Sequence, residues 1–464
     1  MNAIWRESAD RNFWQKTFRL ALPVSFQCTL FALLGLVDIL MVSTLGEAQV
    51  AAVGVGNRIF FFNLLVVVGL SGAVAVLASQ FFGAGNMRGV RRTLLQTLVC
   101  SVLFTLPFVV AYSVFPSEIV GFVTQDPAFV DHATDYLFIT GVSVLATAIV
   151  VPLEAGLRSV GEARLPTVVG LIAVAINACL NAILIFGLWG FPEMGVAGAA
   201  VGTTVSRFVQ TLIIVLATYR YHGDILPKVE EYRDAWEPKA VKKFIRVGIP
   251  MLIHDAGWAM GIVVYNLIVG KLGVSALAIF SLLSPIEGVM ISAFIGFAVA
   301  TATILGHELG AENYQRAFYQ SWFLIGLSVC LAFVMAVLVF SLQGFVREGL
   351  TLANMPDVDL AMRVTFIMVC GLCLKVFNMV GIAGVLKSGG DIKYTIFIDL
   401  FAQWAVGIPL AFYTGLVLGW PLDSVLMIIL LEEIVKIGLT THRIVGKRWL
   451  NNLVSDEMPV VLNA

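Results

Sequence analysis

Apolar runs and polar breaks alternate along this chain with a long period. Mostly apolar stretches occupy roughly 18–44, 49–80, 93–115, 131–153, 166–189, 194–219, 245–270, 275–305, 318–343, 361–386, 394–418 and 422–445, with short polar turns between most of them. A helix needs about 20 such residues to cross the hydrocarbon core of a bilayer. The pattern predicts an all-α integral membrane protein with twelve transmembrane helices, the second and eighth long enough to tilt, kink or extend past the bilayer.

The polar breaks repeat. Pro23 recurs as Pro250, Leu45-Gly46 as Leu272-Gly273, and SQFFGAGN (Ser79 to Asn86) as GHELGAEN (Gly306 to Asn313), all at an offset of 227 residues. LRSVGEAR (Leu157 to Arg164) returns as LKSGGDIK (Leu386 to Lys393) at an offset of 229. The chain therefore divides into an N-terminal lobe of six helices (1–219), a charged connector (220–243) and a C-terminal lobe of six helices (244–464). Two homologous membrane halves are the build of a transporter, with the working site expected where they meet.

Composition excludes a soluble fold. Hydrophobic residues make up 59% of the chain and charged ones 13%, with a mean hydropathy of +0.93. The net charge of -1 averages over a polarised molecule and gives no reason to expect nucleic acid as a partner. Of the 29 Lys and Arg residues, 22 fall before the first span, in alternate loops, in the connector and after the last span, against Lys271, Arg347 and Arg363 on the opposite face. That asymmetry predicts cytoplasmic termini and connector. The outer loops collect acids such as Glu118, Asp126 and Asp131. Residues 1–17 lack the apolar run of a signal peptide, and Trp5, Phe13 and Trp14 among charges read either as an amphipathic lead-in at the interface or as a disordered tail.

Candidate chemistry lies in the charges that a membrane should exclude. Asp38 stands in LFALLGLVDILMVS with no other charge between Arg19 and Glu47. It follows Pro23 by a rise of about 22 Å, which puts it in the outer half of the bilayer. Asn177 and Asn181 share one face of the fifth span, and Thr203 and Thr204 lie at matching depth on the sixth. A carboxylate ringed by amides and hydroxyls can take up a proton or coordinate a small cation. Asp255, beside His254, has Cys28 as its repeat counterpart and is a secondary candidate, as is Arg58, which can also snorkel outward. Glu432 with Lys436, and Glu154 with Arg158, are spaced to neutralise each other. Lys375, Glu287 and Arg207 are further intramembrane charges without an assigned role.

Other chemistries find no support. The six cysteines fall inside spans, and Cys370-x-x-Cys373 reads as helix packing. The five histidines show no metal-ligand spacing, so no metal site is expected. No GxxxxGK[ST] or GxGD stretch occurs, so neither ATP hydrolysis nor intramembrane proteolysis is expected, and transport energy must come from an ion gradient.

Pro23 with Asp38, LGEAQVAAVGVGN (45–57), SQFFGAGN (79–86), LRSVGEARLPT (157–167) and GVAGAAVGTTVSR (195–207) together resemble the multidrug and toxic compound extrusion (MATE) family, over nearly the whole chain. The pattern is similar to its bacterial DNA-damage-inducible F branch. The resemblance implies two six-helix bundles around a central cleft, no enzyme activity, and export of amphiphilic, often cationic drugs in exchange for protons or sodium, from a bacterial inner membrane. It further implies that Asp38 is the coupling carboxylate, that Asn177, Asn181 and Thr203 line its cavity, and that Pro23 is the hinge of the first helix. Other branches carry a Glu where Trp258 stands and an acid where only Lys375 is near, so a cation site in the C-terminal lobe is not implied. Related sodium sites carry a second carboxylate at the position of Asn181, which favours protons here. No cofactor beyond the transported H+, or Na+, is expected, a monomer is the default, and membrane lipids are the surrounding partner. Phe60, Phe61 and Phe62 are candidates for a drug-contacting wall or for lipid and packing contacts. The alternative is a lipid-linked oligosaccharide or lipid flippase, for which a cleft lined with several bases would be expected.

Overall fold

The computed structural model describes residues 8–121, 127–352, 355 and 357–455, and all regular structure among them is helical. Arg6, Trp5 and Asp126 lie outside the described residues. Twelve long helices follow the predicted order: α1 (Arg11–Ser43), α2 (Glu47–Ala73, continued through a π-helical turn at Val74–Ala78 and Ser79–Gly83), α3 (Met87–Val114), α4 (two arms, Pro127–Gly141 and Ser143–Ser159), α5 (Arg164–Phe186) and α6 (Gly195–Tyr221). They continue as α7 (Pro238–Lys271), α8 (Val274–Gly310), α9 (Tyr314–Ser341), α10 (Val358–Leu386), α11 (Ile392–Val417) and α12 (Leu422–Val445). Ten are long and apolar enough to cross a membrane as single helices, and α4 qualifies as a pair of arms bent by 46°. α12 is long enough but carries Glu432, Glu433 and Lys436 in its middle.

The repeat in the sequence is a repeat of backbone geometry. Gly46 (φ 128°, ψ 169°) precedes α2 and Gly273 (φ 128°, ψ 164°) precedes α8, in a conformation that side chains disfavour. Asn86 and Asn313 begin α3 and α9. Gly161 and Gly390, after α4 and α10, both have positive φ. Gly85 (φ 72°) is matched by Glu312 (φ 62°), so the second copy holds a carboxylate side chain where the first uses glycine.

The chain forms two compact units. Of the described residues, one unit contains those in 26–82 and 86–252, and the other those in 8–25, 83–85 and 253–455. The breaks after Ser25 and Leu252 are 227 residues apart, so the opening segments of α1 and α7 are exchanged between the two chain halves. In the first unit, Leu94, Leu153, Leu157, Val169 and Ile214 pack between α3, α4, α5 and α6. The connector belongs to this unit. Arg91 pairs with Glu231 and Arg88 with Asp234, and Gln96 donates to the Ala235 carbonyl at 2.6 Å, which fastens the connector to α3. In the second unit, Ile279, Leu283, Val364 and Met368 form a core between α8 and α10. Phe13 is buried there, against Trp14 and Phe323, and so is a packing residue rather than part of an interfacial lead-in.

Candidate functional site

Close helix packing positions the site around Asp38. Gly198 and Gly202 on α6 are four residues apart and face α5: a Cβ on Gly198 would meet the Leu184 backbone, and one on Gly202 would overlap Asn181 Oδ1. Small residues at this spacing let two helices approach in a bilayer. The approach puts Thr203 against Asn177, whose Nδ2 donates to Thr203 Oγ1 at 3.4 Å. Asn181 Nδ2 points to α1 and donates to Asp38 Oδ1 at 2.9 Å, with Asn177 Oδ1 3.4 Å away as a second acceptor. The four residues expected from the sequence are thus joined in one hydrogen-bonded chain across α1, α5 and α6.

The arrangement has one unsatisfied atom at its centre. Asn181 Oδ1 is buried and has no hydrogen-bond partner among the described residues. An amide presents a donor and an acceptor in one plane, so its orphaned oxygen lies next to the carboxylate that its nitrogen serves.

Arg207 extends the site. It is one turn beyond Thr203 on α6 and shares a cavity wall with Tyr136. Its Nη1 donates to Gln210 Oε1 at 3.4 Å, and Gln210 Nε2 donates to Glu154 Oε1 at 3.4 Å. Glu154 also accepts from Gln27 Nε2 (3.2 Å) and Arg158 Nη2 (2.8 Å), while Arg158 Nη2 reaches Gln27 Oε1 at 3.0 Å. A cavity of about 270 Å³ adjoins, with Thr203, Arg207, Tyr136, Asn57, Asn63 and Phe61 in its wall. Phe60 also faces it while packing on Tyr112 and Tyr136, whereas Phe62 is exposed and meets Phe108.

Other candidates separate from this group. Thr204 donates to the Ile139 carbonyl at 3.0 Å and not towards Asp38. Pro23 lies inside α1, which runs unbroken through it, so no break marks the expected hinge in this conformation. Arg58 is exposed on α2, with no carboxylate of the described residues within ion-pair distance. Lys375 and Glu287 pair with each other at 2.5 Å, and Glu432 pairs with Lys436 at 2.7 Å. Asp255 belongs to the other unit, where it faces His254 at 2.8 Å and Lys387 at 3.7 Å. His254 also contacts Asp399, which is absent from the expected site residues although it stands in the apolar run IFIDLFAQWAV and meets the same rule that singles out Asp38. Gln27, Gln210 and Tyr136 were legible only as polar residues in spans, and nothing in their spacing ties them to Asp38.

Comparison with known proteins agrees with this architecture. The MatE family model matches residues 23–183 and again 250–413, so the two matches begin at the prolines that open the repeat. The chain is 24% identical over 462 residues to the uncharacterized transporter YisQ of Bacillus subtilis, covering 97% of this chain and 96% of that one. It is 28% identical over 413 residues to the multidrug resistance protein NorM of Burkholderia vietnamiensis, covering 86% and 87%. Among solved structures, the MATE transporter VcmN of Vibrio cholerae shares the fold with a TM-score of 0.87 at 15% identity, over 97% of this chain and 99% of that one. A MATE structure in the straight conformation aligns with a TM-score of 0.83 at 19% identity, over 93% and 96%. With both halves matched by one family model and the same fold over nearly its whole length, the chain belongs to the MatE family.

Proposed function

We propose that this protein is a secondary active antiporter that exports amphiphilic or cationic organic compounds in exchange for protons. The observation that carries the reading is Asp38 held by Asn181 beside the orphaned amide oxygen. When Asp38 is ionised, Asn181 Nδ2 donates to it. When Asp38 is protonated, a half-turn of the same amide would offer Oδ1 to the new O–H and satisfy the orphaned atom. The site therefore has two hydrogen-bonded states that differ by one proton, which is the bistable element that coupling requires. A donor nitrogen beside a single carboxylate suits a proton better than sodium, which needs several oxygen ligands. Sodium is the second candidate ion, and no resident cofactor is invoked.

Protonation from outside removes the Asp38 charge. The hydrogen bonds joining α1 to α5 rearrange, α1 shifts with Pro23 as its hinge, and bound drug is released. Loss of the proton inside resets the cycle. The relatives named multidrug resistance proteins support small-molecule drugs as substrates. The flippase reading is not favoured: Lys375, Lys387 and Lys436 each face a carboxylate and do not gather as a diphosphate site. The reading includes a monomer, because each chain supplies both repeats, surrounded by lipid in a bacterial inner membrane, as for the bacterial relatives, and cytoplasmic termini on the bias of basic residues.

The test is drug uptake into inside-out vesicles or proteoliposomes under a proton gradient and, separately, a sodium gradient. Proton-driven uptake that Asp38→Asn abolishes is the expected result. Uptake that the substitution leaves intact would remove Asp38 from the coupling role, and uptake driven only by sodium would replace the ion.

A further inference from the structure

The second unit carries a buried charge cluster that the antiport cycle does not use. His254 on α7 is 7% exposed, and both ring nitrogens face carboxylates: Nδ1 is 2.8 Å from Asp255 Oδ1, and Nε2 is 2.6 Å from Asp399 Oδ2 on α11. A neutral imidazole has one N–H and one bare lone pair. With a neutral ring and two ionised carboxylates, one of these contacts would set a lone pair against a carboxylate oxygen at less than 3 Å. A hydrogen in each contact requires one proton more than that combination supplies.

The surrounding charges locate that proton. Lys387 Nζ, just past α10, lies 3.7 Å from Asp255 Oδ1 and 3.4 Å from His254 Nδ1; it can only donate, and the shorter contact of Nδ1, 2.8 Å to the Asp255 carboxylate, assigns the hydrogen to the ring nitrogen. Lys436 Nζ on α12 lies 3.6 Å from Asp399 Oδ1 and 2.7 Å from Glu432 Oε1, and Glu432 also accepts from the Tyr265 hydroxyl. Glu433, partly exposed on α12, accepts from Asn378 Nδ2 at 2.8 Å and adds its charge to the same cluster beside Lys436. Asp255, Asp399, Glu432 and Glu433 bring four carboxylates to the cluster, against two lysines. A protonated His254 halves the excess of negative charge that a neutral ring would leave within apolar helices, where imbalance is expensive. Each aspartate also has an ammonium within 4 Å, which leaves the imidazole as the group to carry the extra hydrogen.

We propose that His254, clamped by Asp255 and Asp399, is a proton-binding site, separate from Asp38 and built on different helices. Its exchange route runs past Asp255, whose side chain is 20% exposed against 12% for Asp399, and past Lys387 at the end of α10. The π-helical segments at Met379–Leu386 and Phe401–Gly407 flank the positions of Lys387 and Asp399, a local rewinding of the kind often found at functional sites.

The proton is counted in the resting protein, without drug or gradient, so this inference stands apart from the transport reading. The full chain, labelled with 15N-histidine and placed in lipid nanodiscs at neutral pH, is compared with His254→Gln by nuclear magnetic resonance. The signal that disappears is expected to carry hydrogens on both ring nitrogens. In Asp399→Asn one of the two carboxylates that clamp the ring becomes a neutral amide, so a ring with a single N–H suffices and His254 should lose one bound proton at the same pH. A bare ring nitrogen in the wild-type protein would overturn the proposal, as would an Asp399→Asn spectrum in which His254 keeps both hydrogens. If His254→Gln does not fold, substitution of His132, His222, His307 and His442 one at a time assigns the same signal by elimination.

Discussion

Gly198 and Gly202 differ in what opposes them, and alanine at the two positions should separate stability from coupling. A Cβ at Gly198 would stand 2.6 Å from the Leu184 carbonyl carbon and oxygen, which are backbone and cannot turn aside. Such overpacking destabilises by about 1–3 kcal/mol, partly offset by the gain of about 1 kcal/mol for Gly→Ala within a helix. At Gly202 the closest opposing atom is Asn181 Oδ1, the end of a side chain that can rotate, while the Asn181 backbone nitrogen stands at 3.3 Å, a contact that a shift of a few tenths of an ångström relieves. Rotation removes the donor from Asp38. A hydrogen bond to a charged group contributes about 1.5–3 kcal/mol, equivalent to a factor of about 10 to 100 in the balance between the two protonation states. Thermal unfolding of the purified variants and drug uptake into proteoliposomes at several pH values test both consequences. Gly198→Ala should lower the melting temperature and reduce uptake only in proportion to the folded protein. Gly202→Ala should melt near the wild-type temperature yet lose proton-driven uptake about tenfold or more at the wild-type optimum. Wild-type uptake by Gly202→Ala at every pH would refute the role assigned to the Asn181–Asp38 bond.

Other outcomes follow from single contacts. Glu312 occupies a left-handed backbone conformation that costs a side-chain-bearing residue about 1–2 kcal/mol, so Glu312→Gly should raise the unfolding temperature and Gly85→Ala, at the matching turn, should lower it. Burial alone would raise the pKa of Glu231 on the connector, but the hydrogen bond from Arg91 and the Lys228 backbone N–H outweigh it and hold the carboxyl below its ordinary value. Its stabilisation is therefore complete above the ordinary glutamate range and is lost as pH falls through the lowered value; limited proteolysis should show the connector loosening with acid in the wild type and already loosened at neutral pH in Glu231→Gln. Lys375→Met leaves Glu287 unpaired and should destabilise by about 1–3 kcal/mol, less than for a fully buried pair because Lys375 is 29% exposed, and adding Glu287→Gln should restore most of the loss in a thermal-unfolding double-mutant cycle.

Most of the architecture was legible because a bilayer enforces simple rules. The twelve apolar runs predicted the helices α1 to α12 to within a few residues at most ends, since spanning length and hydropathy are local properties. The largest differences are at ends that leave the apolar run, such as α1 and α7, which begin seven residues earlier than expected among charged residues. The kink in α4 had no comparable signal. Asp38, Asn177, Asn181 and Thr203 could be grouped from depth and helix face alone, whereas Thr204 could not be assigned: adjacent residues on a helix point about 100° apart, and only packing shows which one faces α5.

What the sequence determined by itself is the solvent, the helix count, the duplication and the list of charges needing a partner, all consequences of composition, spacing and repetition. The tertiary structure decided which partner each charge takes. Lys375 finds Glu287 from 88 residues away, and His254 finds Asp399 from 145. Asn181 turns its donor to Asp38 and leaves its oxygen orphaned. Such pairings depend on helix rotation and close approach at positions like Gly202, and these are set by side chains interlocking between helices distant in the chain, which no one-dimensional pattern records.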